Sequence, residues 1–234
     1  MEAEYTQEVA ITDEAVDRLR EGLLDWYDDE GRSLPWRGES IDTYVKIVAE
    51  VLLQRTTAPA VAEVLPCFLQ QYGSWEELAD SRIEELEELI RPLGLWRRRA
   101  RSLMALAKAI LDRGGEYPSA RSEAESLPGV GQYIASAILL ICHGKREPLL
   151  DSNMARLLER YFGPREKADI RSDPYLQCLS RRLVNHRAAK KINWAVLDFG
   201  AAVCKPRRPL CMACPVRDGC QYSTTAAGGR SAPE

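Results

Sequence analysis

Leu127-Pro128-Gly129-Val130-Gly131 runs without a break into Gln132-Tyr133-Ile134-Ala135-Ser136-Ala137-Ile138-Leu139-Leu140. The second part is apolar and rich in small residues, and reads as a buried helix. The first part has two glycines separated by one residue, which permit a tight turn with positive φ and leave backbone N–H groups uncovered. Those groups stand at a helix start, where unpaired amides and the dipole favour an anion. Gly129, Val130 and Gly131 are therefore expected to grip a nucleic-acid phosphate without any side-chain charge. A plain helix–helix turn is the simpler alternative.

Working outward, the pattern is helical almost throughout. Val16, Leu19, Leu23 and Trp26 recur at three- to four-residue spacing, as do Tyr44, Ile47, Val51 and, less strictly, Leu52. Segments 58–72, 82–91, 98–113, 152–162 and 188–203 read the same way. Short punctuators part them: Gly31, Gly73-Ser74, Pro92-Leu93-Gly94, Gly114-Gly115 and Gly163-Pro164. No strand alternation is sustained, so the fold class is all-α. The stretch STTAAGGRSAPE (223–234) reads as a disordered tail.

The 234 residues suffice for one large or two modest domains. Hydrophobic residues at 45% and charged residues at 29% match an ordinary soluble protein. No apolar run is long enough to span a bilayer, and the acidic start MEAEYTQEVAITDEA lacks the order of a signal peptide. The expectation is a cytoplasmic, intracellular and nucleoid-associated protein with no membrane partner. The net charge of −3 speaks mildly against nucleic acid, but the charge is segregated. Residues 76–88 are acidic, whereas 97–101 (RRRAR) and 205–208 (KPRR) are basic. A polyanion answers to the local basic surface, so DNA binding survives the objection.

Four of the 7 cysteines crowd into residues 204–220. Cys204, Cys211, Cys214 and Cys220 follow the spacing C-x6-C-x2-C-x5-C, which reads as a metal site. Four thiolates fit either a [4Fe–4S] cluster or a tetrahedral zinc, and residue chemistry alone leaves both open. Cys67, Cys142 and Cys178 lie in apolar or amphipathic stretches, where buried packing is expected.

LPGVGQYIASAIL, with the LLDSNMARLLER that follows it, resembles the helix-hairpin-helix signature of the endonuclease III and adenine DNA glycosylase families. The resemblance runs from about Leu34 to Tyr222 and takes in LPWR (34–37) and AEVLLQRTT (49–57). It implies an all-α, two-domain fold, with DNA crossing the groove between the domains. A six-helix domain would span 34–140 and end in the hairpin; a cluster domain would combine 10–33 with 141–222. The cysteine spacing is similar to the family's iron–sulfur loop, which implies a structural [4Fe–4S] cluster and a loop whose Lys205, Arg207 and Arg208 face the DNA backbone. The implied partner is double-stranded DNA with a mismatched or damaged base, bound by a monomer.

Base excision builds positive charge on the sugar and negative charge on the leaving base. It calls for a carboxylate near C1′ and a group that protonates or hydrogen-bonds the base. Asp151, ahead of SNMARLLER, is by composition a good helix N-cap; by resemblance it is the catalytic aspartate, and one residue can serve both ends. Glu50 matches the general acid of adenine-releasing relatives. Its apolar neighbours Ala49, Val51, Leu52 and Leu53 lead to the expectation of a raised pKa. Tyr133 stands where bifunctional relatives carry the lysine that forms a Schiff base, and a phenol forms no imine. Arg55 matches the residue that fills the gap left by a flipped base, and Leu95 the wedge against the opposite strand. A surface arginine and a core leucine are the plainer readings. Trp36 and Trp194 are read as packing residues.

Tyrosine at 133 with QRTTA (54–58) resembles the G:T mismatch thymine glycosylases more than the QQTQ-and-serine pattern of adenine glycosylases. The expected activity is monofunctional removal of thymine or uracil opposite guanine, without strong lyase action. Adenine removal from mispairs is the alternative that Glu50 keeps alive. A non-catalytic DNA-binding module is the alternative of another class, opposed by the carboxylates Glu50 and Asp151. An electron-transfer protein would leave LPGVG without purpose.

Overall fold

The structure, a computed structural model, describes residues 11–228. The chain folds into two compact units, Met1–Gly31 with Leu150–Glu234 and Arg32–Leu149. Every regular element among the described residues is helical. The first helix, α1 (Asp13–Glu30), belongs to the discontinuous unit; the chain then builds the continuous one before returning.

The continuous unit holds α2 (Thr43–Leu52), α3 (Ala58–Gln71), α4 (Trp75–Ala79), α5 (Ile83–Leu89), α6 (Trp96–Asp112), α7 (Arg121–Ser126) and α8 (Gln132–His143). Several starts are fixed by side-chain caps. Asp42 accepts from the Tyr44 amide at 2.7 Å and Ser74 from the Glu77 amide at 3.2 Å, while Glu77 reaches back to the Gly73 amide at 2.6 Å. Helix α2 is the axis of this unit. Ile47, Val48, Ala49 and Leu52 are fully or almost fully buried, packed in one core with Phe68, Leu103, Leu106, Ile134 and Ile138. Each of these side chains larger than alanine contributes about 1.5–3 kcal/mol on burial.

The second unit adds α9 (Ser152–Phe162), α10 (Pro174–Val184), α11 (Ala189–Ala202) and α12 (Gln221–Gly228) to α1. Helix α9 is strongly two-sided: Met154, Ala155, Leu157, Leu158, Tyr161 and Phe162 are buried, with charged residues between them. They pack with Leu19 and Leu23 of α1 and with Ile192, Val196 and Phe199 of α11. Truncating Leu158, which is fully buried, to alanine would cost about 2–5 kcal/mol.

Three sequence expectations need correction. The seam between the units falls at Leu149/Leu150 rather than after residue 140, because α8 runs on to His143 and the strap behind it stays with the hairpin unit. That strap is tied by Arg121 to Glu147 at 2.6 Å and by Lys145 to the Ser119 carbonyl at 2.5 Å. Residues 223–228 of the expected tail belong to α12, where the Ser223 hydroxyl donates to the Arg217 carbonyl at 2.8 Å; 229–234 lie outside the described residues. Cys67 and Cys178 are exposed, since each falls between the buried positions of its helix and faces outward.

Candidate active site

The hairpin is α7, a turn and α8. Gly129 adopts φ +73°, and a Cβ built on it would lie 2.8 Å from the Ser102 Cβ. Glycine is thus required there twice over, for its dihedral and for its space. Gly131 differs from the expectation of positive φ: it is extended (φ −99°) as the N-cap of α8, and a Cβ there would meet nothing within 4 Å. Val130 sends its side chain into the core, and its amide donates to the Leu127 carbonyl at 3.1 Å. Val130 therefore anchors the turn instead of offering an uncovered N–H. No side chain caps α8, which leaves its N-terminal end to a ligand or solvent.

Beside the turn, the Tyr133 hydroxyl donates to Glu50 Oε2 at 3.1 Å. Glu50 is 4% exposed, on the buried run of α2. Tertiary packing thus joins two candidates that lie 83 residues apart. Trp36 is buried packing, as expected, and Trp194 is half-buried.

In the other unit, Asp151 is the N-cap of α9. Its Oδ1 accepts from the Asn153 and Met154 amides, both at 2.9 Å, and its Oδ2 from Asn153 Nδ2 at 2.6 Å. The capping reading is therefore correct, and the residue remains partly exposed. Each carboxylate oxygen has about two acceptor directions, so Oδ1 is filled and Oδ2 retains one. Burial pushes the Asp151 carboxyl above its ordinary pKa; the Met154 amide, the Asn153 side chain and amide, and the Arg156 charge pull the other way. Asn153 is held in turn by Arg156 Nη2, which donates to its Oδ1 at 2.9 Å. The same guanidinium donates to the Gly200 carbonyl at 2.8 Å and to the Cys204 carbonyl at 2.9 Å. Sequence reading passed over Asn153 and Arg156, although their places two and five residues after Asp151, on the same first turns of a helix, were the available signal.

Arg55 and Leu95 share a rare property. They are the two non-glycine residues with positive φ among the described residues, at 56° and 49°. The left-handed conformation costs about 1–2 kcal/mol for each. Both are exposed, Leu95 at 54%, which excludes a core role for the leucine. Arg97, Arg98 and Arg101 are exposed beside Leu95, whereas Arg99 in the same run is buried.

Cys204, Cys211, Cys214 and Cys220 line one cavity with Leu157, Arg160, Tyr161 and Phe199. Arg160 fastens the loop to α9, donating to the Lys205 carbonyl at 2.7 Å, the Pro206 carbonyl at 2.8 Å and Cys204 Sγ at 3.4 Å. Burial pushes the Cys214 thiol up to about 11 against the pull of the Val216 amide, and the other three thiols push it further. Thiols that oppose one another's ionisation become thiolates together only around a cationic group. The buried Tyr161 hydroxyl has no hydrogen-bond partner and borders the same cavity, where a cluster sulfur would accept from it. Four thiols lining one cavity are a donor set that fits a [4Fe–4S] cluster.

An all-helical fold with a glycine hairpin and a four-thiol loop defines a class, and the chain belongs to it. Residues 48–179 match the HhH-GPD superfamily of base excision DNA repair proteins. Residues 204–220 match the iron–sulfur binding domain of endonuclease III, and the cofactor is a [4Fe–4S] cluster. Among particular relatives, the thymine-DNA glycosylase of Aeropyrum pernix is 42% identical, over 88% of this chain and 95% of its own. The thymine/uracil-DNA glycosylase of Pyrobaculum aerophilum is 40% identical, over 85% and 88% respectively. Human adenine DNA glycosylase is 35% identical over 88% of this chain, which spans 39% of that protein. A solved thermostable thymine-DNA glycosylase superposes with a TM-score of 0.83 at 30% identity, over 91% of this chain and 98% of its own. No described helix is long and apolar enough to cross a membrane.

Proposed function

We propose that this chain is a monofunctional DNA glycosylase that hydrolyses the bond between deoxyribose C1′ and thymine or uracil mispaired with guanine. The observation that carries the reading is the Tyr133–Glu50 pair, 3.1 Å apart, at the start of the hairpin's second helix. A phenol there offers no amine for imine formation, so the reaction ends at an abasic site.

In the step itself, the glycosidic bond breaks and its electron pair leaves with the base, which gains a proton. Water then gives hydroxide to C1′ and releases a proton. The Asp151 carboxylate stabilises the positive sugar through the acceptor direction that its helix leaves open on Oδ2. Glu50 supplies or relays the proton, with Tyr133 orienting its carboxyl. Gly129, Gly131 and the start of α8 hold a backbone phosphate, while Arg55 and Leu95 enter the duplex from the two strands. Cys204, Cys211, Cys214 and Cys220 hold the iron–sulfur cluster, whose part is to shape the basic loop. The protein works as a monomer on intracellular, nucleoid-associated DNA.

The test is a panel of end-labelled duplexes containing G:T, G:U, A:G or undamaged pairs, read with and without hot alkali. The reading expects strand breaks at G:T and G:U only after alkali. Breaks at A:G would favour the adenine reading that Glu50 and the human relative support. Breaks without alkali would refute the monofunctional assignment, and no breaks at all would leave a DNA-binding module.

A further inference from the structure

Arg99 is the buried member of an otherwise exposed basic run, at 6% exposure. It sits in the first turn of α6, where the helix dipole disfavours a cation, and burial lowers its pKa. Its guanidinium donates to two carbonyls on two different loops: Gln54 at 2.5 Å and Leu93 at 3.3 Å. Its backbone amide donates to a third, that of Leu95, at 3.0 Å.

These carbonyls are placed in a telling way. The Gln54 carbonyl belongs to the peptide plane whose rotation sets φ of Arg55. The Leu93 carbonyl belongs to the plane ahead of Gly94, one residue before the Leu95 turn, and the bond to the Leu95 carbonyl is the first backbone bond of α6. One buried side chain thus ties the turns that carry the two left-handed non-glycine residues among the described residues, directly ahead of Arg55 and one peptide plane earlier ahead of Gly94-Leu95. Strain of this kind persists only where the surroundings over-determine it. A lysine's donors all radiate from one nitrogen, whereas the planar fork of an arginine sends separate nitrogens to the two carbonyls.

We propose that Arg99 is the positioning residue that joins Arg55 and Leu95 into a single rigid probe of the duplex. The inference rests on the reading of Arg55 and Leu95 as the groups that enter DNA. Arg99 itself touches neither substrate nor reacting atoms. It sets the distance and angle between two groups that act on opposite strands, so its contribution is to base extrusion rather than to bond cleavage.

The test uses the holoprotein and a G:T duplex with 2-aminopurine beside the thymine, whose fluorescence rises as the target unstacks. Arg99→Met should lower that rise and slow single-turnover excision on the order of tenfold, with undamaged-duplex affinity unchanged. Arg99→Lys should recover part of the loss, and serves as the readable variant if the methionine form does not fold. Adding Arg99→Met or Arg99→Lys to the Arg55→Ala, Leu95→Ala double variant should cost little more, because the same probe is already gone. Full fluorescence and full rate in Arg99→Met would overturn the proposal, as would an undiminished loss on top of the double variant. If Arg55→Ala and Leu95→Ala themselves leave extrusion intact, the underlying assignment of the probe falls instead.

Discussion

Replacing Asp151 by asparagine separates its capping work from its charge. The asparagine oxygen can keep both 2.9 Å bonds to the Asn153 and Met154 amides, and asparagine caps helices as well as aspartate does. The other position becomes an N–H₂ facing Asn153 Nδ2, where the carboxylate oxygen accepted at 2.6 Å. Asn153 cannot turn its amide round without losing Arg156. One unfavourable donor pair costs about 1 kcal/mol, which lowers Tm by about 2–4 °C in a chain of this size. Loss of the negative charge opposite a positive sugar should cost far more, about 2.7–4 kcal/mol or 10²–10³-fold in rate. Single-turnover excision from a G:T duplex, with binding followed by fluorescence anisotropy, measures both. Excision within about threefold of the parent would refute the assignment, because 1 kcal/mol of stability leaves nearly all molecules folded. Acid provides the parallel test. Burial raises the Asp151 pKa, so excision should fail as pH drops through a value above that of a surface aspartate. Its stability effect has the opposite sense: the folded state holds the proton more tightly, so this residue's contribution declines as pH rises from the unfolded to the raised pKa.

Tyr133→Lys places an amine where the phenol meets Glu50; borohydride should then trap a covalent enzyme–DNA adduct, and its absence would mean that the side chain does not reach C1′. Gly129→Ala must accept φ +73° and a Cβ 2.8 Å from Ser102, a cost of about 1–2 kcal/mol from the dihedral alone. It should weaken binding to every duplex alike, and undiminished binding in a titration would free the turn from a phosphate role. Gly219→Ala drives a Cβ into the Tyr161 hydroxyl oxygen and should lower iron content and Tm together. Adding Tyr161→Phe should recover part of both; full iron content in the single variant would show that the loop yields freely.

Much of this protein could be read from its residues in order. The 3.6-residue recurrence of apolar side chains marks helices because burying one face requires it, and the caps and glycines between them mark their ends for equally local reasons. The hairpin, the cysteine loop and the capping place of Asp151 are local too, so a short stretch of sequence carries them whole. Periodicity was silent where packing decides: α10 escaped notice, the seam between units moved to residue 149, and Cys67 faced outward although its neighbours are apolar. The partnerships across long sequence separation came only from the tertiary fold: Tyr133 with Glu50, Arg156 with Cys204, and Arg99 with Gln54. A hydrogen bond between residues 83 or 48 positions apart leaves no mark on either neighbourhood, because either residue alone would look like an ordinary charged or aromatic side chain. The left-handed backbone at Arg55 and Leu95 belongs here as well. Nothing in an arginine or a leucine favours that conformation, and only the folded chain shows a buried guanidinium bonded to the turns that carry both.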